Sequence, residues 1–260
     1  MTDPILKTRD GDIVTLTLND PRTLNALSDG MLAALGDALD EVAASDARVV
    51  ILAAEGKAFC AGHHLGEMQQ MRQAEDGGRA AFADLFDRCT AVMTKIRDLP
   101  QPVIAQVHAL ATAAGCQLVA SCDMAVASSE ARFGVNGVDI GLFCSTPMVA
   151  LSRNVPRKRA FEMLSTGRFL SAGEAQEAGL VNRVVPYDAL KKETRALAER
   201  VAGKLPAAQR IGKGAFYAQL DRSLDAAYRL TRDAMVENLA DAGTEEGMQA
   251  FLEKRPPRWT

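Results

Sequence analysis

Two short stretches carry the pattern of loops that stabilise an anion. Residues 57–65 read KAFCAGHHL and residues 109–118 read ALATAAGCQL. Each places small residues where the chain must turn, Ala61-Gly62 in the first and Ala113-Ala114-Gly115 in the second. N–H groups at such turns, and in the first turn of a helix, lack intrahelical acceptors and can point at one ligand atom. Two loops of this kind converging on one oxygen would make an oxyanion hole. Small residues at strand–helix junctions also serve ordinary close packing, so spacing alone leaves both readings open.

The surrounding elements alternate. ILKTRD and IVTLTLN around Asp10-Gly11 predict a β-hairpin. Residues 27–45 have helical spacing with Ser28 or Asp29 as N-cap. VVILAA (49–54) predicts a buried strand, and an amphipathic helix follows over about 75–98, ended by Pro100 and Pro102. VIAQVHA (103–109) is a strand, AAGCQLVAS a helix, and MAVAS (124–128) a third buried strand. Recurring strand, helix, strand before residue 185 means α/β. From Asp188 onward only helical spacing appears, with a boundary near Leu205-Pro206. The last three helices cannot bury their apolar faces alone, which predicts packing on the core or on another subunit.

Totals narrow the function classes. Net charge is −3 over 260 residues, which gives no overall pull toward nucleic acid or an anionic membrane, while leaving room for a local basic patch that would suit an anionic ligand. No apolar run reaches the length of a membrane span. Five cysteines without a C-x-x-C spacing suggest free, buried thiols in a reducing compartment. The opening residues show no secretory or transit pattern, and the expectation is a cytoplasmic protein.

PRTLNALS (21–28), VVILAAEGKAFCAGHHL (49–65), PVIAQVHALATAAGCQLVASCDMAVAS (102–128), ARFG (131–134), TGRFLSAGEAQEAGLVNRVVP (166–186) and EGMQAFLEKRPPRW (246–259) follow one another across nearly the whole chain. On these segments the chain resembles the crotonase (enoyl-CoA hydratase/isomerase) superfamily. GHHL combined with GLFCSTPMVALSRNVPRKRAFEMLSTG (141–167) narrows the resemblance to one branch. The resemblance implies a crotonase (ClpP-like) β-β-α spiral core over 1–204. It implies a C-terminal α-helical trimerisation region over 205–260, and a homotrimer or a hexamer built as a dimer of trimers. The implied ligand is an acyl-CoA or enoyl-CoA thioester, with no cofactor beyond the CoA of the substrate.

By motif, the two oxyanion N–H groups fall on His63 and Ala114, with Ala58, Ala61 and Gly62 beside the CoA, and Lys254 and Arg255 near its phosphates. The two glutamates that face water in the hydratases of the superfamily map to Gln117 and Gly137. Gln117 can hydrogen-bond a water but cannot take its proton, and Gly137 has no side chain. Each acid or base contributes about 10²–10⁴ in rate, so standard hydration is disfavoured. Asp139 is the candidate substitute, on the same side as Gly137 if the segment is extended. His64 is a second, against a surface or supporting role. Cys144 and Ser145 read as pocket lining, since no base is assignable. A zinc site through His63, His64 and His108 lacks the ligand spacing. Glu162 and Glu174 read as structural, Glu174 as a first-turn acid behind a Ser171 N-cap. Three functions follow: a thioester enzyme, a non-catalytic acyl-CoA binder, and a partner subunit of a mixed hexamer.

Overall fold

The computed structural model describes residues 3–259. Strands β1 (Ile5–Asp10) and β2 (Ile13–Leu18) form the expected hairpin, with Gly11 at φ +60° in its tight turn. Helix α1 (Asp29–Ala43) is capped by Ser28, whose hydroxyl accepts from the Met31 N–H at 3.1 Å. Then come β3 (Val49–Ala54), β4 (Ala58–Cys60), α2 (Leu65–Met71) and α3 (Arg79–Asp98). The next turn of chain is β5 (Val103–Val107), β6 (Leu110–Thr112) and α4 (Ala114–Ser121). The third is β7 (Met124–Ser128), β8 (Arg132–Gly134), α5 (Pro147–Asn154) and α6 (Arg157–Thr166). A two-residue β9 (Leu170–Ser171), α7 (Ala172–Glu177), β10 (Arg183–Val185) and α8 (Leu190–Ala202) complete this part.

Each turn of the spiral gives one strand to each of two sheets. The larger runs β1-β2-β3-β5-β7-β10, parallel except for its first pair, and the smaller runs β4-β6-β8-β9. In β3, Val50 and Leu52 enter the main core while Val49, Ile51 and Ala53 face the other side, where Leu190, Leu197 and Ala198 of α8 cover them. Helices on both faces of a parallel sheet explain why β3 reads as an uninterrupted apolar run.

Three helices follow: α9 (Pro206–Gln219), α10 (Leu224–Leu239) and α11 (Ala242–Leu252). One buried polar knot ties α9 to the core. Lys213 Nζ donates to the carbonyls of Ile96 and Gln101 at 3.0 Å each and to Asp123 Oδ2 at 2.7 Å. The Tyr217 hydroxyl donates to Asp123 Oδ1 at 2.8 Å, and the Val103 N–H to Asp123 Oδ2 at 2.6 Å. The chain end returns through Trp259, whose indole N–H donates to the Gly203 carbonyl at 2.9 Å. Leu224, Tyr228, Met235, Phe251 and Leu252 stay exposed on these helices, Phe251 at 83%.

Candidate active site

Strands β4, β6 and β8 lie side by side and parallel, so the segments that leave their carboxyl ends emerge together. These are residues 61–64, 113–114 and 135–140. In parallel sheets, that end is where ligands gather.

The first segment is fixed from outside by a turn at Leu24-Asn25, both at positive φ. The Ala61 N–H donates to the Leu24 carbonyl at 3.1 Å, and the buried Asn25 amide donates to the carbonyls of Glu55 (2.8 Å) and Ala58 (2.9 Å). Ala58 and Ala61 thus lie at the first loop, with these backbone atoms already committed to the turn. Asn25 went unassigned in the sequence, although PRTLNALS contains it; a buried asparagine has no signature there apart from its partners. Gly62 stands at φ +87°, a conformation that favours glycine. Its carbonyl accepts from the Leu27 N–H at 2.7 Å.

The second segment presses against the first. A Cβ built on Gly62 would lie 2.9 Å from Ala113 Cβ and 3.2 Å from the Ala114 nitrogen. One built on Gly115 would lie 2.2 Å from the Cys60 carbonyl oxygen. The glycines therefore permit the approach of the two loops. Ala113 holds φ 50°, ψ −121°, costing about 1–3 kcal/mol for a residue with a side chain. Its N–H donates to the Gly134 carbonyl at 2.9 Å. Ala114 is the first residue of α4, so its N–H has no intrahelical acceptor. Among the described residues, neither the His63 nor the Ala114 N–H donates to a protein acceptor.

The side chains here are neutral. The His63 ring stands edge-on to Phe86 at 5.5 Å, and burial holds its pKa below the ordinary histidine value. Gln117 is 5% exposed, and its Oε1 has no hydrogen-bond partner.

Around Gly137 the chain differs from the extended form considered above. Asn136–Ile140 is a 3-10 turn, in which residues two apart do not share a side, so Asp139 does not follow the direction of Gly137. The Asp139 carboxylate lies where a Cβ on Gly167 would meet it at 2.5 Å. Asn136 Nδ2 approaches Asp139 Oδ2 at 3.4 Å, while Asn136 Oδ1 accepts from the Thr112 hydroxyl at 2.6 Å. Asp139 is thus joined to β6 through Asn136, and is exposed.

The remaining candidates are held by local structure. His64 caps α2, its Nδ1 accepting from the Glu67 N–H at 3.1 Å. The Glu67 carboxylate in turn accepts from the Asp29 N–H at 2.9 Å. His108 Nε2 bonds the Gly56 carbonyl at 2.9 Å. Among the described residues no group of three His, Cys, Asp or Glu side chains is placed to hold a metal ion. Cys144 is buried against Gly137, and the Ser145 hydroxyl donates to the Phe143 carbonyl at 3.3 Å. All five cysteines are free and buried. Burial pushes the thiols of Cys60, Cys89 and Cys116 up to about 12 and raises that of Cys144, which leaves them poor nucleophiles. Ser171 and Glu174 form a full capping box, joined by Arg168. Glu162 lies 3.8 Å from Arg168.

Arg255, expected near the CoA phosphates, is ion-paired within the chain. Glu246 holds it through two bonds at 2.7 and 2.9 Å, and Glu253 adds a third at 2.6 Å. Lys254, beside it, takes part in no ion pair among the described residues.

The profile of the enoyl-CoA hydratase/isomerase family matches residues 8–260. Human enoyl-CoA hydratase domain-containing protein 3, mitochondrial, is 48% identical, with 95% of this chain and 80% of that protein aligned. This is the branch to which GHHL and the 141–167 segment pointed. The crystal structure of an enoyl-CoA hydratase from Mycobacterium smegmatis superposes with a TM-score of 0.95 at 53% identity, covering 98% of each chain. That of human enoyl-CoA hydratase domain-containing protein 3 gives 0.93 at 47%, covering 98% of this chain and 100% of the other. These likenesses bear out the crotonase fold. The names of the relatives overturn the cytoplasmic placement, which rested on the cysteines, the opening residues and the lack of a membrane-spanning run. The vertebrate relatives at 45–48% identity are named mitochondrial.

Proposed function

We propose, from the premise that the chain belongs to the enoyl-CoA hydratase/isomerase family, that it binds an acyl-CoA thioester and holds the carbonyl oxygen between the N–H groups of His63 and Ala114. One observation carries this reading: two unengaged backbone donors on loops pressed together by Gly62 and Gly115. Donors fixed in place before reaction stabilise the enolate-like oxygen as charge develops, and losing one typically costs about 10²–10³ in rate. The reaction is one that uses a stabilised oxyanion without the paired carboxylates of hydration: a double-bond shift or a decarboxylation through the enolate, or thioester hydrolysis through a tetrahedral oxyanion. Lys254 is the cation assigned to the CoA phosphates, and Arg255 is a clamp on the C-terminal tail.

Self-association into a homotrimer, or a dimer of trimers, belongs to the same proposal. Its support is the apolar surface left on α9–α11, the 205–260 region assigned to oligomerisation.

A second reading is a thioester binder without turnover. Neutral Gln117 and the closed surroundings of Gly137 favour it. The test uses crotonyl-CoA labelled with ¹³C at the carbonyl. Polarisation by two donors shifts that resonance downfield on binding, and loss of enone absorbance in the same tube reports hydration. Binding with an unshifted carbonyl would sink the oxyanion assignment. A shifted carbonyl with no turnover of any thioester favours the binder.

A further inference from the structure

From Ile140 to Phe161 the chain carries four cations, Arg153, Arg157, Lys158 and Arg159, and no carboxylate, although its net charge is −3. Among the described residues none of the four takes part in an ion pair; Glu162, the next acid along the chain, lies beside Arg168 at 3.8 Å. The same stretch exposes Ile140, Leu142, Phe143, Met148, Val149 and Phe161, the last at 63%. Helix α6 packs against both α5 and the 3-10 turn Asn136–Ile140, so the three elements share one surface.

Cations and apolar side chains stand beside each other on it. In α6, Ala160, Met163 and Leu164 are buried in the core, which leaves Arg157, Lys158 and Phe161 on the outer face, one turn apart. In α5, Pro147 and Leu151 are buried, and Val149 and Arg153 lie outside, with Arg153 Nη1 donating to the Val149 carbonyl at 3.0 Å. The first turn of α6 holds three cations and no acid. That placement opposes the helix dipole, and like charges so close repel. Alone, the arrangement works against folding; a dense layer of negative charge offsets it.

The occupant follows from this mixture. One carboxylate or phosphate would neutralise only one or two of the four cations. Single-stranded RNA carries enough phosphates, but it binds by stacking bases on rings, and Ile140, Met148 and Val149 have none. The apolar surface assigned to self-association lies on α9–α11. An anionic bilayer meets both halves of the pattern: its phosphates face the cations, and its interface accepts aliphatic and aromatic side chains alike.

We propose that the outer face of α5 and α6 docks on an anionic bilayer surface, through Arg153, Arg157, Lys158 and Arg159 and the side chains of Val149 and Phe161. This is independent of the thioester reading.

The test is co-sedimentation of the whole protein with vesicles of phosphatidylcholine, with and without phosphatidylglycerol. Wild type is expected to bind the phosphatidylglycerol vesicles at low salt and to leave them at high salt. Each cation near such a surface strengthens partitioning about fivefold, so Arg157→Gln with Lys158→Gln should weaken it about 25-fold. Phe161→Ser should weaken it about tenfold. Lys191→Gln with Lys192→Gln, an equal charge change on α8, should leave it unchanged.

No binding to the phosphatidylglycerol vesicles overturns the proposal, as does equal binding to phosphatidylcholine alone. Equal loss in the α8 pair assigns the effect to net charge and overturns it too. A single-stranded RNA bound by wild type and lost in the α6 pair, with vesicles unbound, gives the face to nucleic acid instead. Sedimentation velocity covers the remaining occupant. If the α6 pair converts an assembled wild type to monomer, the face is a contact between copies of the chain and the proposal falls.

Discussion

Gly137 and Leu142 close on each other. The Leu142 N–H donates to the Gly137 carbonyl at 2.9 Å, and a Cβ on Gly137 would lie 2.3 Å from the Leu142 carbonyl oxygen. Cys144 Sγ would lie 2.8 Å from the same atom. Position 137, to which the resemblance assigned a glutamate of the hydratases, has no room for a side chain in this structure. The loop over residues 142–144 occupies the space that a side chain would need.

Gly137→Glu should consequently fail to restore hydration, even beside Gln117→Glu. Overpacking a filled site costs about 1–3 kcal/mol, so Gly137→Ala alone should lower the urea midpoint. Hydration of crotonyl-CoA by the double variant at a hydratase-like rate, with stability unchanged, would show that the loop yields.

Gly115→Ala should separate the two oxyanion loops, because its methyl group would stand 2.2 Å from the Cys60 carbonyl. The carbonyl shift of bound crotonyl-CoA should shrink or vanish in this variant. Any enolate-dependent turnover should fall by about 10²–10³. An undiminished shift would place the donors elsewhere.

Lys213 and Asp123 are paired where side chains are 7% and 13% exposed. Removing one member of such a pair leaves an uncompensated charge and costs about 3–5 kcal/mol. Lys213→Met should show this in urea unfolding, and adding Asp123→Asn should recover part of it. A single variant as stable as wild type would mean that α9 docks by its apolar contacts alone.

Glu174 is held at about 2, well below its ordinary value of 4.5, first by the Ser171 N–H, then by the Ser171 hydroxyl and by Arg168. A carboxylate with a depressed folded pKa contributes stability above its unfolded value and loses it as pH falls through the folded one. Glu174→Gln should therefore lower the unfolding midpoint at pH 7. The gap from wild type should narrow from about pH 4.5 down to about 2 and disappear below that. A gap constant across this range would assign the effect to something other than the charge.

Phe251→Asp should shift assembly toward the monomer. Phe251 and Leu252 are among the most exposed apolar side chains of the described residues and line one groove with Met248 and Leu205, and exposed apolar surface of this kind marks association. Sedimentation velocity over a range of concentrations reads the change. A wild type that stays monomeric throughout would remove the oligomerisation role of these helices.

Much of this was legible in the sequence because it is local. VVILAA and MAVAS are strands because continuous apolar runs suit a sheet covered on both faces. The capping box at Ser171 and Glu174 needs only two residues three apart. The motif order identified the family, and residues 117 and 137 carry no carboxylate. What the sequence could not supply depends on distances across the chain. Strands β4, β6 and β8 are three residues each, too short for any periodicity to reveal. Their register sets Gly62 against Ala114, orients a 3-10 turn that carries Asp139 away from Gly137, and leaves Gln117 Oε1 unpaired. Arg255 likewise reads only as a cation in FLEKRPP until Glu246 is seen to fold back onto it. Residue types and spacing determined the elements and the chemistry available. Only packing between elements decided which backbone donors remain open and which side chains stay without partners, because both depend on neighbours distant in the chain.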